Sequence, residues 1–426
     1  MRARSTMCAA VVALALVAAC DRAAQDAPLP SLPPFAPRDV LTPMRALAAQ
    51  VSPAPDERTA RSLAELVDLA WRPEAADART QQRTLRALLE HAAADFALEA
   101  GLAHEHAAVR SQCAFQLGER GRVAAIPILL VRVRQDEKDG EVMAWLIDAL
   151  SKLGCLGALD RLVPLFDVEA SAARAGALAI DVLKRAGRDP GEGAGWAQLA
   201  MAITALHDEW RRSGVAPGAS AAACAPASVP SLDELDPVLR ARLAQCVVDL
   251  ADQNLRPVDN ARWVFSRIGR RGLPFVAEIL HADHEYVRRY GVEIAGELRR
   301  SAGPIGDAVA ALLADPFTGA LATRALGGVA HPAALPHLLA RLRHQDPDVR
   351  VGAASGLGLL GDPAAFDALR ARLDDPQETV DVKVHAAWSL AVLSPGDRYL
   401  TERLRAKDYH EPTLLELADE LARARR

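Results

Sequence analysis

Apolar positions in this chain recur on two scales. Within short stretches they fall three or four residues apart, as in Val349, Ala353, Leu357 and Leu360, the spacing that lines one face of a helix. The stretches themselves also recur. Aligned on Val109, Val142, Ala173, Ala261, Val287, Thr318, Val349 and Val382, they stand mostly 31 or 33 residues apart. Inside one unit, Asp346 precedes Pro347 as an N-cap before a proline suited to the first helical turn. Gly361-Asp362-Pro363 then stops that helix and opens another, on which Phe366, Leu369 and Leu373 share a face. A two-helix unit of this size buries its apolar face only against its neighbours. The fold expected is all-α: an α-solenoid of stacked helical hairpins, right-handed, forming one elongated body from about residue 100 to 395 with no substantial sheet.

The units agree in more than hydrophobicity. A Val-Arg pair, an Ala-rich helix and a Leu-Gly pair follow one another in Val349-Arg350 with Leu357-Gly358, and in Val109-Arg110 with Leu117-Gly118. Pro127 and Pro336 each stand 18 residues after the aligned position and open a second helix. About eight units in this register resemble the short bacterial HEAT-like repeats also found in phycobilisome lyases. The resemblance implies that an acid in the turn between repeats and an Arg one turn later hydrogen-bond along the stack. Asp346 with Arg350 and Asp283 with Arg288 fit that role, whereas Gly319 and Lys383 break it. It also implies a binding surface for another protein, or, in the manner of the lyases, a groove that holds a cofactor or chromophore.

The period sets the boundaries. Residues 42–100 read as capping helices, including Arg58 to Trp71 and Gln81 to Ala100, and residues 101–186 and 259–395 as repeats. Residues 187–258 interrupt them, as an irregular insertion or as degenerate repeats. There the pattern predicts a helix from about Ala194 to Arg212, an Ala/Pro/Ser segment from Ser213 to Pro230, and a helix from Asp236 to about Asp252. Residues 396–426, with an Arg-rich helix after Pro412, read as the far cap.

The N-terminus carries an address. Arg2 and Arg4 precede an apolar stretch from Met7 to Ala19, too short for a stable span and suited to a secretory signal over residues 1–19. Val17-Ala18-Ala19-Cys20 resembles a bacterial lipoprotein box, which implies a lipidated Cys20 at the mature N-terminus, anchored to a membrane and facing the periplasm. Asp21 resembles the signal that retains such proteins at the inner membrane. Residues 20–41, with Pro28, Pro30, Pro33, Pro34 and Pro37, read as an extended tether.

Composition changes the picture mainly by exclusion. With 50 basic and 55 acidic residues interspersed, the chain lacks the concentrated basic surface that nucleic acid requires. Gly356-Leu357-Gly358-Leu359-Leu360-Gly361 spells a dinucleotide-binding pattern, but it lies at the end of a helix and not after a strand. No HExxH, GxSxG, phosphate-loop or haem-attachment sequence occurs. His104, His106, His281 and His284 fall in equivalent turns and read as solvated, so neither metal nor cofactor is expected. Cys113 takes the place of Ala353 in the repeat and reads as a small buried thiol, while Cys224 and Cys246 are a possible pair. No catalytic residue is assigned. If second helices line an open concave side, Arg132, Arg134, His337, Arg341 and Arg370 are the partner-binding candidates.

Overall fold

The computed structural model describes residues 29–50, 54–72, 74, 76–134, 137–191, 193–214, 229–395 and 398–404. The leader, Cys20, Cys224 and the helix expected after Pro412 lie outside them. Among the described residues the chain is all-α and contains no strand; one isolated parallel bridge joins Arg38 to Ala282. No described helix is long and apolar enough to cross a membrane.

The opening helices are α1 (Leu41–Ala48), α2 (Glu57–Trp71), α3 (Ala78–Glu90) and α4 (Ala94–Gly101). The single helix expected over Gln81 to Ala100 is thus two, broken at His91-Ala92-Ala93. The break lets Leu88 and Leu98 both reach full burial from different directions. Repeats follow as α5 (Ala107–Glu119) with α6 (Ile126–Arg134), then α7 (Gly140–Lys152) with two 3₁₀ turns at Leu159–Arg161 and Val163–Asp167, then α8 (Glu169–Arg185) with α9 (Trp196–Ser213). The second stack comprises α10 (Pro237–Asp249), α11 (Leu255–Arg267), α12 (Leu273–Leu280), α13 (Glu285–Leu298), α14 (Gly306–Ala311), α15 (Gly319–Gly328), α16 (Ala334–Arg341), α17 (Pro347–Leu360), α18 (Phe366–Asp374), α19 (Val380–Leu393) and α20 (Arg398–Leu404). Helix starts follow local chemistry. Asp56, Asp77, Asp139, Asp236 and Asp346 each accept backbone N–H bonds at an N-cap. Gly361 closes α17 in the left-handed region at φ 76°.

First helices stack on first helices, α5 on α7 and α7 on α8, and later α13 on α15, α15 on α17 and α17 on α19. The glycines that mimic a nucleotide motif serve this packing. A Cβ on Gly327 would lie 1.9 Å from the Gly356 carbonyl oxygen, and one on Gly358 would lie 2.3 Å from Ser389 Oγ. Only glycine admits backbones that close. Cys113 is fully buried in this core, as its register implied.

The two stacks do not form one unbroken row. The second begins beside the first: α11 packs on α6, and α10 packs on α6 and on α1. The joint is stitched by arginines. Arg242 grips both Glu99 oxygens at 2.8 and 2.7 Å and donates to Ala124 O, while Arg267 donates to Gly157 O and Asp160 at 2.7 and 2.8 Å. Arg271 donates to the Leu153 and Gly154 carbonyls, and Trp263 Nε1 to Leu130 O at 2.9 Å. A guanidinium fork satisfies two acceptors at once, which a Lys ammonium at the same place does not do in fixed geometry.

Charge pairs within the stack run differently from the expectation. Arg110, Arg288 and Arg350 each send Nη1 back to two carbonyls of the preceding turn and Nη2 forward to an acid of the following one, with Nε joining the forward pair in Arg110 and Arg350. The forward partners are Glu137, Asp315 and Glu378 at 2.7, 3.0 and 2.8 Å. Asp346 is an N-cap, and Asp283 offers Arg288 its backbone carbonyl. The ladder therefore joins neighbouring repeats through acids 27 or 28 positions downstream of each Arg.

The proline-rich stretch also differs. Residues 29–41 do not stand free as a spacer but run along the second stack. Pro30 O meets His337, Phe35 lies under Arg288, Arg38 exchanges backbone bonds with His281 and Asp283 and pairs with Glu278 at 2.6 Å, and α1 lies on α10. An extended segment with few of its own hydrogen bonds satisfies its backbone on a neighbour. Here that neighbour is the row of turns beside α12, α13 and α16.

Candidate functional site

The expected binding edge is largely used by the chain itself. Arg134 binds Asn260 at 2.6 Å and Asp259 at 3.2 Å on α11, and Arg132 lies 4.0 Å from Glu137. His337 is buried against Pro30, and Arg341 donates to Leu313 O at 2.7 Å. Arg370 is exposed on α18, 3.8 Å from Asp374. The five residues are not brought together. Second helices of the first stack face the second stack, and the 29–48 segment covers part of the second-helix row of the latter.

The first helices of the first stack, in contrast, carry a groove. Two cavities, of about 270 and 460 Å³, flank Trp145 on α7. The smaller is walled by Phe115, Trp145, Arg174 and Asp181, with Asp148, Lys152 and Arg185 at its floor and rim; the larger runs past Trp71, Gln81, Ser111, Gln112 and Glu141. Repeat register explains how these side chains meet. Gln112 and Trp145 each stand three residues after the aligned Val109 and Val142, at the half-buried edge of their first helices. Stacked repeats turn such equivalent positions into a column.

Its geometry is set by an aromatic and ionic cluster. Phe115 meets Trp145 edge-on with centroids 5.2 Å apart, and the Arg174 guanidinium lies 3.4 Å from the Trp145 centroid. Lys152 sits 4.7 Å from the Phe115 ring and pairs with Asp148 at 2.9 Å and with Glu119, while Arg185 takes the other Asp148 oxygen at 2.8 Å. Burial pushes the Lys152 pKa down, but the hydrogen bonds its ammonium donates to Glu119 and Asp148 outweigh it and raise the pKa overall. The cluster offers an aromatic platform and charged hydrogen-bonding groups across α2, α5, α7 and α8.

A third cavity, of about 230 Å³, lies at the joint between stacks, lined by Gly157, His207, Trp210, Arg211, Arg267 and Gly269 among others. His207 is buried, with Nε2 3.3 Å from Gly157 O and 3.9 Å from Asp160. Burial holds its pKa below the ordinary imidazole value, against the pull of Asp160. This is a structural histidine within a seam of fixed hydrogen bonds. Among the described residues no group of three or more His, Cys, Asp or Glu is placed to hold a metal ion. His104 stacks on His106 and reaches Asp68 at 3.4 Å, whereas His284 turns to Tyr286.

Trp145, Phe115 and Arg174 were not among the residues singled out from sequence. Their signal was present in principle, since aromatics make up only 4% of the chain and these two occupy partly exposed faces of successive first helices.

A family model agrees with the architecture. A model of the family described as HEAT repeats matches residues 94–183 and 306–391. Among curated proteins none matches the sequence. Among solved structures, human deoxyhypusine hydroxylase in complex with glycerol is 19% identical, with 79% of this chain and 97% of that one covered and a TM-score of 0.23. An engineered protein is 14% identical over 89% of this chain and 98% of its own, with a TM-score of 0.29. Importin beta is 12% identical over 90% of this chain and 52% of its own, with a TM-score of 0.31. Likenesses this distant carry no argument about function. The stacked hairpins and the matched segments together identify residues 94–183 and 306–391 as HEAT repeats within an all-α solenoid.

Proposed function

We propose that this protein is a membrane-anchored scaffold that holds another protein on its HEAT-repeat stack and catalyses no reaction itself. The observation that carries the reading is the groove along α2, α5, α7 and α8, where aromatic and charged side chains spread over successive helices instead of converging on one deep pocket. A surface of that kind suits an extended polypeptide. Anchoring through Cys20 to the periplasmic side of a membrane, the inner one by the Asp21 signal, rests on the lipoprotein-like box at Val17 to Cys20. Lipid chains contribute about 0.8 kcal/mol per buried CH₂, so two or more acyl chains make attachment effectively permanent.

Cell fractionation with Cys20→Ala tests the anchor: the variant leaves the membrane fraction or accumulates as precursor. A variant processed and retained like the parent removes the anchor. Proximity crosslinking of the intact protein in its native cells, read by mass spectrometry, tests the scaffold, which requires discrete protein adducts mapped to the repeats.

A further inference from the structure

We infer that the cleft beside Trp145 receives a carboxylate side chain, Asp or Glu, from an extended segment of the partner polypeptide, with Arg174 as the group that binds it. This deepens the scaffold reading and rests on it. The charges in the cleft are unequally engaged. Lys152 and Arg185 are both held on Asp148, whereas Arg174 has only its stacking contact with Trp145, and no described carboxylate pairs with it. A guanidinium whose carbon lies 3.4 Å over an indole ring has that side covered by the ring, and the N–H donors of its planar fork are the groups that take a carboxylate through two parallel bonds. Stacking also fixes the side chain before binding, so less rotamer entropy is lost on engagement.

The adjoining cavity indicates a polypeptide and not a small acid. Ser111 is more than nine-tenths buried and lines that cavity, yet its hydroxyl makes no hydrogen bond among the described residues, and the half-buried Gln112 amide beside it makes none either. Both side chains line the cavity with hydrogen-bonding capacity that water meets in the free protein and a bound segment can take up. The N–H and C=O groups of an extended backbone do so. Trp145 borders both cavities, so a chain crossing its ring places an acidic side chain at Arg174 and its backbone past Ser111 and Gln112. Small dicarboxylates fill only the first.

The test uses fluorescence anisotropy of the full chain with fluorescein-labelled, C-terminally amidated peptides of repeating Gly-Glu-Leu, Gly-Gln-Leu and Gly-Lys-Leu. The Glu peptide is expected to bind about tenfold or more tightly than the Gln peptide, with the Lys peptide weakest. Arg174→Gln and Trp145→Ala should each bring the Glu peptide down to the Gln peptide's affinity, with Arg174→Lys between, and Arg174→Gln should leave the thermal midpoint at the parent's value. Equal affinities for Glu and Gln peptides, or a Glu preference that survives Arg174→Gln, overturn the carboxylate site and leave the scaffold standing. Absence of binding by every peptide overturns the site as well, the scaffold then being decided by the crosslinking experiment alone. Displacement by free glutarate as effectively as by unlabelled Glu peptide reassigns the cleft to small acids and overturns the polypeptide assignment.

Discussion

Arg350 and Glu378 are joined across the boundary between two repeats, with Nη2 2.8 Å from Oε1 and Nε 3.1 Å from both carboxylate oxygens. Glu378 is almost wholly buried, and Thr379 N–H adds a bond at 2.9 Å. Removing one partner of a buried pair strands the other charge, at a cost of about 3 kcal/mol. Arg350→Ala should therefore lower the thermal midpoint clearly, measured by far-ultraviolet circular dichroism. The exposed Arg61→Ala, which breaks only an i,i+4 surface pair with Glu57, should change it little. Equal shifts in both would mean that the inter-repeat pairs are not stabilising the stack.

Stability should fall as pH drops, in two windows. His207 has a pKa lowered by burial, and the half-buried His281 and His385 are lowered for the same first reason. Each therefore takes up its proton more readily unfolded than folded, so stability is full above the unfolded value of about 6.5 and declines as pH falls below it. For Asp315 and Glu378, burial pushes upward, but hydrogen bonds from Thr318 and Phe317 to the first, and from Arg350 and Thr379 to the second, hold both below the ordinary carboxylate range. Their contribution is present above the ordinary values of 3.8 and 4.5 and is lost as pH falls through the lower folded values. Thermal midpoints recorded between pH 7 and 3 check this. His207→Gln should flatten the upper window, and a midpoint that rises on going from pH 7 to 5 contradicts the assignment.

The joint between the stacks rests on a backbone approach with no slack. A Cβ on Gly157 would stand 2.0 Å from Arg267 O, and a backbone atom cannot rotate away as a flexible side chain can. Gly157→Ala should cost about 1–3 kcal/mol by overpacking. It should also speed limited proteolysis between the stacks. Gly187→Ala is the contrasting variant: Gly187 has φ 72° but open space around its Cβ, so it should be strained locally without loosening the joint. Identical proteolysis of both variants would place the weak point elsewhere.

The sequence made the repeat legible because stacking repeats its own requirements: capping Asp, small residues between first helices, and apolar spacing recur with the unit. Gly356, Gly358 and Cys113 could be placed from register alone. Long-range choices carried no such signature. That α11 lies on α6, that Arg242 reaches Glu99 across 143 positions, and that the segment from Pro30 to Arg38 lies along the second stack all depend on a single joint made once in the fold. The ladder was half legible for the same reason: register identified Arg288 and Arg350, but the forward acids Asp315 and Glu378 stand at different distances before their helices. Of the binding candidates, Arg134, His337 and Arg341 are engaged by other parts of the chain, which register could not foretell, while Arg370 stays exposed.

Site-specific photo-crosslinking in the native cells addresses the groove beside Trp145 directly. A photoreactive residue replaces Gln112 in the groove and, separately, the exposed Met201 on α9. A discrete protein adduct is expected from position 112 that Arg174→Gln and added Gly-Glu-Leu peptide both suppress, with no such adduct from position 201. Equal adducts from both positions, or adducts at 112 indifferent to Arg174 and to the peptide, would contradict it.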